Sequence, residues 1–171
     1  MKFISAVTVA TTAVLLQTAG LVAALDMRFW PSPNCSGGFL QCGNLPAGVC
    51  CFLSTNPAAS LRLTDVSNVA DFSAWGTQNC QAPLAARSSS GNCVNANFAF
   101  FSGNWRSRSR IGSAVESSST EDCVEPDSFG FVDETGKEHI AKITEANKKA
   151  IYGALEKGDV ATLKTEAGAA A

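Results

Sequence analysis

Trp30-Pro31-Ser32-Pro33-Asn34-Cys35 is matched 45 residues later by Trp75-Gly76-Thr77-Gln78-Asn79-Cys80. The shared pattern, Trp-x-x-x-Asn-Cys, is self-similarity at a fixed period, the mark of a duplicated structural unit. Each repeat is followed, 30 and 32 residues after its tryptophan, by a serine beside an arginine: Ser60-Leu61-Arg62 and Ser107-Arg108. The intervening pieces are short and strand-like. Residues 60–64 alternate polar and apolar, and 48–53 form an apolar run bounded by turn residues. Residues 97–101 and 105–111 flank Ser102-Gly103-Asn104 and read as a hairpin with a three-residue loop. In its second strand Arg106, Arg108 and Arg110 share one face, opposite Trp105, Ser107, Ser109 and Ile111. The segment 25–112 is therefore expected to form two Greek-key motifs packed as a β-sandwich, with Trp30 and Trp75 in equivalent core positions.

Composition changes abruptly at residue 112. From 25 to 112 all six basic residues are arginine, against three acids, a formal charge of +3. From 113 to 171 all six are lysine, against twelve acids, a formal charge of −6. The overall −2 hides this asymmetry. The Ser- and acid-rich stretch 113–127 reads as a linker. Beyond it, 128–171 is expected to be a small α+β extension. Residues 129–132 and 138–143 suggest a hairpin across 133–137, and Thr144 is placed to cap a helix whose apolar positions run from Ala146 to Leu155 before Gly158 ends it. Asp159 could then cap one last short turn. This unit has too little apolar surface to stand alone and is expected to dock on the first, burying Phe129 or Phe131 with Ile151 and Leu155.

The chain opens with Lys2, an apolar run from Phe3 to Leu16, and small residues at Val22 and Ala24. That pattern reads as a cleavable secretory signal over 1–24, too short for a comfortable membrane span. The expected product is secreted and extracellular. In that setting Cys35, Cys42, Cys50, Cys51, Cys80 and Cys93 read as a disulfide framework. Cys50 and Cys51 point to opposite faces of one strand and should serve different bridges. The seventh, Cys123, falls in the linker and is expected to stay unpaired or to link two chains as a homodimer.

On these residues the chain resembles the βγ-crystallin Greek-key family. That family's motif is an aromatic, four residues, a second aromatic, one residue and a glycine, followed later by a serine that pins a folded hairpin. Trp30-x4-Cys35-x-Gly37 fits, with cysteine for the second aromatic, while Trp75-x4-Cys80-x-Ala82 carries alanine in the glycine's place. The chain also resembles the small secreted cysteine-rich proteins of fungal type. Microbial βγ members bind calcium through a loop before the pinning serine. Here the corresponding stretches are 55–60 and 102–107, where Ala59 and Arg106 replace the expected oxygen ligand and no carboxylate is present. No tight calcium site, other metal or cofactor is expected.

Catalysis needs a nucleophile, a base and an orienting group together. The first segment has no histidine, and His139, beside Glu138, reads as a surface residue of the extension. The leading expectation is a non-enzymatic secreted binding protein: killer-toxin-like or effector-like, an inhibitor, or a cell-wall component. Its partners would be an extracellular protein, a glycan or a wall surface, with no nucleic acid. The alternative is a small secreted hydrolase built on a carboxylate pair. The row Arg106, Arg108 and Arg110 is either an anion-binding ladder or a solvated face neutralised by the acidic extension. Asn34-Cys35-Ser36 is an N-glycosylation acceptor sequence, with which a disulfide at Cys35 would compete.

Overall fold

The structure, a computed structural model, describes residues 24–64, 70–107 and 123–169. The expected leader, apart from Ala24, most of the expected linker, and Arg108 and Arg110 lie outside these residues. Among the described residues ten strands form two layers, and two helices follow them. The strands are β1 (Ala24–Trp30), β2 (Phe39–Pro46), β3 (Cys51–Phe52), β4 (Ala58–Leu63), β5 (Ala70–Trp75), β6 (Leu84–Ser88), β7 (Val94–Phe100), β8 (Ser102–Ser107), β9 (Ser128–Val132) and β10 (Glu138–Lys142). The helices are α1 (Lys148–Lys157) and α2 (Val160–Ala169).

The six-stranded sheet runs β10-β9-β2-β1-β4-β7 and the four-stranded sheet β3-β8-β5-β6; the strand pairs within both are antiparallel. Substituting β5 to β8 for β1 to β4 turns the order β2-β1-β4-β7 into β6-β5-β8-β3. Each repeat thus keeps its first, second and fourth strands in one sheet and lends its third to the other. The exchange gives a Greek-key sandwich with internal pseudo-symmetry.

The facing surfaces follow from strand alternation. Met27, Phe29, Leu40, Leu61 and Leu63 point inward from the larger sheet, and Phe72, Ala74 and Trp105 from the smaller; all are buried. Trp105 donates its indole hydrogen to the Leu45 carbonyl at 2.8 Å, so its one polar atom is satisfied inside the core. Each of the large side chains covered here contributes about 1.5–3 kcal/mol.

One local expectation is corrected. Ser102-Gly103-Asn104 is not a hairpin loop but the start of β8, and all three residues are buried. β7 and β8 are separated by Phe101 alone and enter different sheets. Gly103 is needed there for closeness: a Cβ would come within 2.8 Å of Met27 Sδ and 3.1 Å of Phe29. A glycine that lets two sheets approach had looked like a glycine that turns the chain.

The C-terminal extension belongs to the same architecture. β9 pairs with β2, placing Phe129 beside Leu40 and Gly130 beside Phe39. α1 and α2 cover the inner face of this part of the sheet, and a Cβ on Gly38 would overlap Leu163 and Leu155. Phe129, Phe131, Ile151 and Leu155 are all buried in the common core. Thr144 Oγ1 accepts from the Asn147 amide while Asn147 Oδ1 accepts from the Thr144 amide, a reciprocal cap before α1. Gly158 ends α1 in the left-handed region at φ 67°. The expected last turn is a full second helix, because the Asp159 carboxylate accepts from both Thr162 N and Thr162 Oγ1 and so starts it firmly.

Candidate binding face

The two folded hairpins are built alike. After Trp30 the chain passes through a short 3-10 turn (Pro33–Cys35), in which Asn34 and Cys35 have φ of 60° and 50°. The fully buried Ser60 hydroxyl holds this turn, accepting from the Cys35 amide at 3.0 Å and donating to the Ser32 carbonyl at 2.7 Å. In the second repeat Cys80 has φ 55°, and the Ser102 hydroxyl accepts from its amide at 3.0 Å while donating to the Thr77 carbonyl at 2.6 Å. The second pinning serine is therefore Ser102, not Ser107. The stretch before it, 97–101, carries no carboxylate either. Gly37 adopts φ 81°, whereas Ala82 at the matching place has no positive φ and is joined to Pro83 by a cis peptide bond.

Three disulfides reinforce this plan: Cys35–Cys93, Cys42–Cys51 and Cys50–Cys80. Cys50 and Cys51 do serve different bridges. Cys35 and Cys80 are equivalent hairpin residues, and Cys50 and Cys93 each lie immediately before a third strand. Each hairpin cysteine is thus bonded to the other repeat's third strand, and the two bridges are related by the internal symmetry. Cys123 lies outside these three bridges. Its neighbour Val124 forms a parallel bridge with Cys51 and exchanges backbone hydrogen bonds with Cys50 and Phe52.

The repeats part company on their outer faces. Trp30 faces Phe39 across β1 and β2, their ring centroids 5.0 Å apart, and Trp30 is only 4% exposed. The Arg28 guanidinium lies 4.8 Å over the same Phe39 ring and reaches Gln41 Oε1 and Glu138 Oε2, each at 2.7 Å. This outer face is closed by the chain itself. Trp75 stands in the equivalent position, but its cross-strand partner is Leu84, 44% exposed, and Trp75 is half-buried rather than in the core. The expectation that both tryptophans are core fails for Trp75, because an aliphatic side chain replaces the aromatic cover that Phe39 gives Trp30.

Around Trp75 the outer face of the smaller sheet forms a shallow depression bordered by Arg87, Arg106 and Asp71, with Ser73 and Asn104 at its floor. Trp75 Nε1 donates to Asn104 Oδ1 at 3.1 Å, which lays the indole along the sheet. Asn104 is 6% exposed. Pro83 and Phe98 pack against Gly76, where a Cβ would come within 3.0 Å of each. Among the described residues neither the Arg87 nor the Arg106 guanidinium is in an ion pair, and no residue of 123–169 lines the depression. The acidic extension meets the first segment's arginines at Arg28 and Glu138 instead.

His139 sits on the far hairpin. Its Nε2 is 2.7 Å from Asp133 Oδ2 and its ring stacks on Phe131. Asp133 also accepts from the Thr135 hydroxyl, the Thr135 amide and the Lys137 amide. The Thr135 hydroxyl, then His139, holds the Asp133 carboxyl well below the usual aspartate range. Lys164 pairs with Glu134 alongside. The ionisable groups of this hollow are thus partnered with one another. Asn34 is exposed, its Oδ1 accepting from Asn95 Nδ2 at 2.8 Å, and Cys35 beside it is disulfide-bonded. Among the described residues no three His, Cys, Asp or Glu side chains cluster to hold a metal ion, and no helix is long and apolar enough to cross a membrane.

No curated protein and no solved structure matches the chain. A family model does: ARB_05566_N, described as an N-terminal domain, matches residues 26–127. The matched span starts in β1, takes in both repeats and stops at the residue before β9. It covers more than half of the 171 residues, and the chain belongs to the ARB_05566 N-terminal domain family.

Proposed function

We propose that the chain is a secreted, non-enzymatic binding protein of βγ-crystallin type that holds an extracellular polysaccharide, such as a cell-wall component, on the outer face of its smaller sheet. The observation that carries this reading is the contrast between the repeats: one tryptophan is sealed by the chain's own aromatic and cation, and its counterpart is left half-open among amide, hydroxyl and guanidinium groups. An aromatic plane beside planar polar groups suits sugars, whose rings present apolar faces and hydroxyl edges. The βγ relation is supported by the pair of Greek-key units and by the serine under each folded hairpin. Export is supported by the leader-like sequence of 1–24 and by three disulfides, which persist in oxidising compartments.

Retention of the full chain on insoluble chitin, glucan and mannan, with membrane preparations in parallel, tests the reading. At least one polysaccharide should retain it and membranes should not. Leu84→Glu, at an exposed position facing Trp75, should weaken that retention about tenfold, the effect of losing about 1.4 kcal/mol of binding. Equal retention of variant and wild type, or retention on membranes alone, contradicts the proposal.

A further inference from the structure

Resting on that reading of the face, we infer that its ligand is an acidic saccharide, one sugar ring lying on Trp75 while Arg87 and Arg106 hold a carboxylate or phosphate. Trp75 Nε1 is already engaged by Asn104, so the indole has its ring plane, not its hydrogen, to offer a ligand. Asn104 Oδ1 is engaged in the same bond, leaving the Nδ2 hydrogens of this largely buried amide for sugar oxygens.

Charge narrows the class further. Arg87 on β6, opposite Ser73, and Arg106 on β8, opposite Asp71, stand on either side of β5, two strand spacings across and two residues along, and so about 12 Å apart at the backbone. A guanidinium presents a planar fork that matches carboxylate and phosphate oxygens in pairs. With neither guanidinium in an ion pair among the described residues, both are available to an incoming anion. Asp71, opposite Arg106 across β5 and β8, puts one negative charge in the same depression. Two cations and one anion among the described residues of this depression, on a chain of net charge −2, suit a ligand with isolated charges among hydroxyls rather than a nucleic acid backbone, which calls for a dense basic surface.

The full chain would be titrated with oligogalacturonate, with mannose 6-phosphate and with neutral chitohexaose, following tryptophan fluorescence and heat. At least one acidic sugar should bind about tenfold or more tighter than the neutral one, and that advantage should shrink as salt is added. Which acidic sugar binds separates a carboxylate source from a phosphate source. Arg87→Gln combined with Arg106→Gln should erase the preference, Trp75→Ala should abolish binding, and Trp75→Phe, which keeps an aromatic plane, should restore most of it. Equal affinity for acidic and neutral sugars, no acidic sugar bound, or a Trp75→Ala chain that binds like wild type overturns the inference. If Leu84→Glu still removes polysaccharide retention when no acidic sugar binds, only the ligand class is wrong. If both Leu84→Glu and Trp75→Ala leave retention intact, the face itself is wrong.

Discussion

Ser60 and Ser102 each satisfy two backbone groups that the folded hairpin would otherwise leave without partners inside the protein. Both are fully buried, so water cannot take their place. Removing the hydroxyl should cost about 1–3 kcal/mol at either site, the desolvation penalty of stranded buried groups. We expect Ser60→Ala and Ser102→Ala to lower the denaturant midpoint by similar amounts with the m-value unchanged, and Ser36→Ala, on an exposed hydroxyl, to do little. A large effect at one pinning serine and none at the other would contradict the equivalence of the repeats. The sequence pattern identifies Ser60 through its neighbour Arg62, but the same reasoning chooses Ser107 over Ser102. The adjacent arginines made a false match, and the true pin hides in a Ser-Gly-Asn triplet with the composition of a turn.

At the level of elements, the hairpin of β9 and β10 shows how much a short polar loop can organise. Asp133 gathers Thr135, Lys137 and His139 on one carboxylate while Gly136 turns at φ 82°. Its folded pKa lies below the ordinary aspartate value of 3.8. The contribution it makes is therefore present above that ordinary value and is lost as pH falls below about 4 toward the folded one. Amide exchange across 133–139 should be slow from neutral pH down to about pH 4 and quicken below it beyond its intrinsic trend. Asp133→Asn should raise exchange at neutral pH and flatten that dependence; an identical profile in the variant would assign the turn's stability elsewhere. This hairpin and α1 were legible because local chemistry specifies them: alternation, a reciprocal cap, a C-terminal glycine. The fate of β7 and β8 was not, since nothing local tells a glycine at a turn from one required by the approach of another sheet. Nor did local signals reveal that β9 would continue the larger sheet, where Gly130 leaves room for Phe39 and a Cβ would come within 2.6 Å of the His139 carbonyl.

Over the whole molecule, one sequence repeat becomes a symmetric frame with asymmetric surfaces. Third strands cross between sheets and the Cys35–Cys93 and Cys50–Cys80 bridges cross with them, so neither repeat forms its half of the sandwich without the other. By the chain-entropy account such bridges each stabilise the fold by about 2–4 kcal/mol. On the outside the first repeat is closed by Phe39, Arg28 and the C-terminal hairpin, while the second remains open at Trp75. The repeat made the frame legible and concealed the difference, because matching Trp30 with Trp75 implies equal burial unless their cross-strand partners, Phe39 and Leu84, are compared as well. Arg106 was visible as a surface cation; its association with Arg87, Asp71 and Trp75 depends on the pairings Ser73↔Arg87 and Asp71↔Arg106, between residues 14 and 35 positions apart. The account turns on that open face, and the most direct test is amide hydrogen exchange of the intact chain with and without a soluble fragment of whichever wall polysaccharide retains it. We predict slowed exchange in 71–75, 84–88 and 102–106, with 133–139 and 160–169 unchanged. Protection confined to the C-terminal hairpin and helices, with the smaller sheet unaffected, would contradict it.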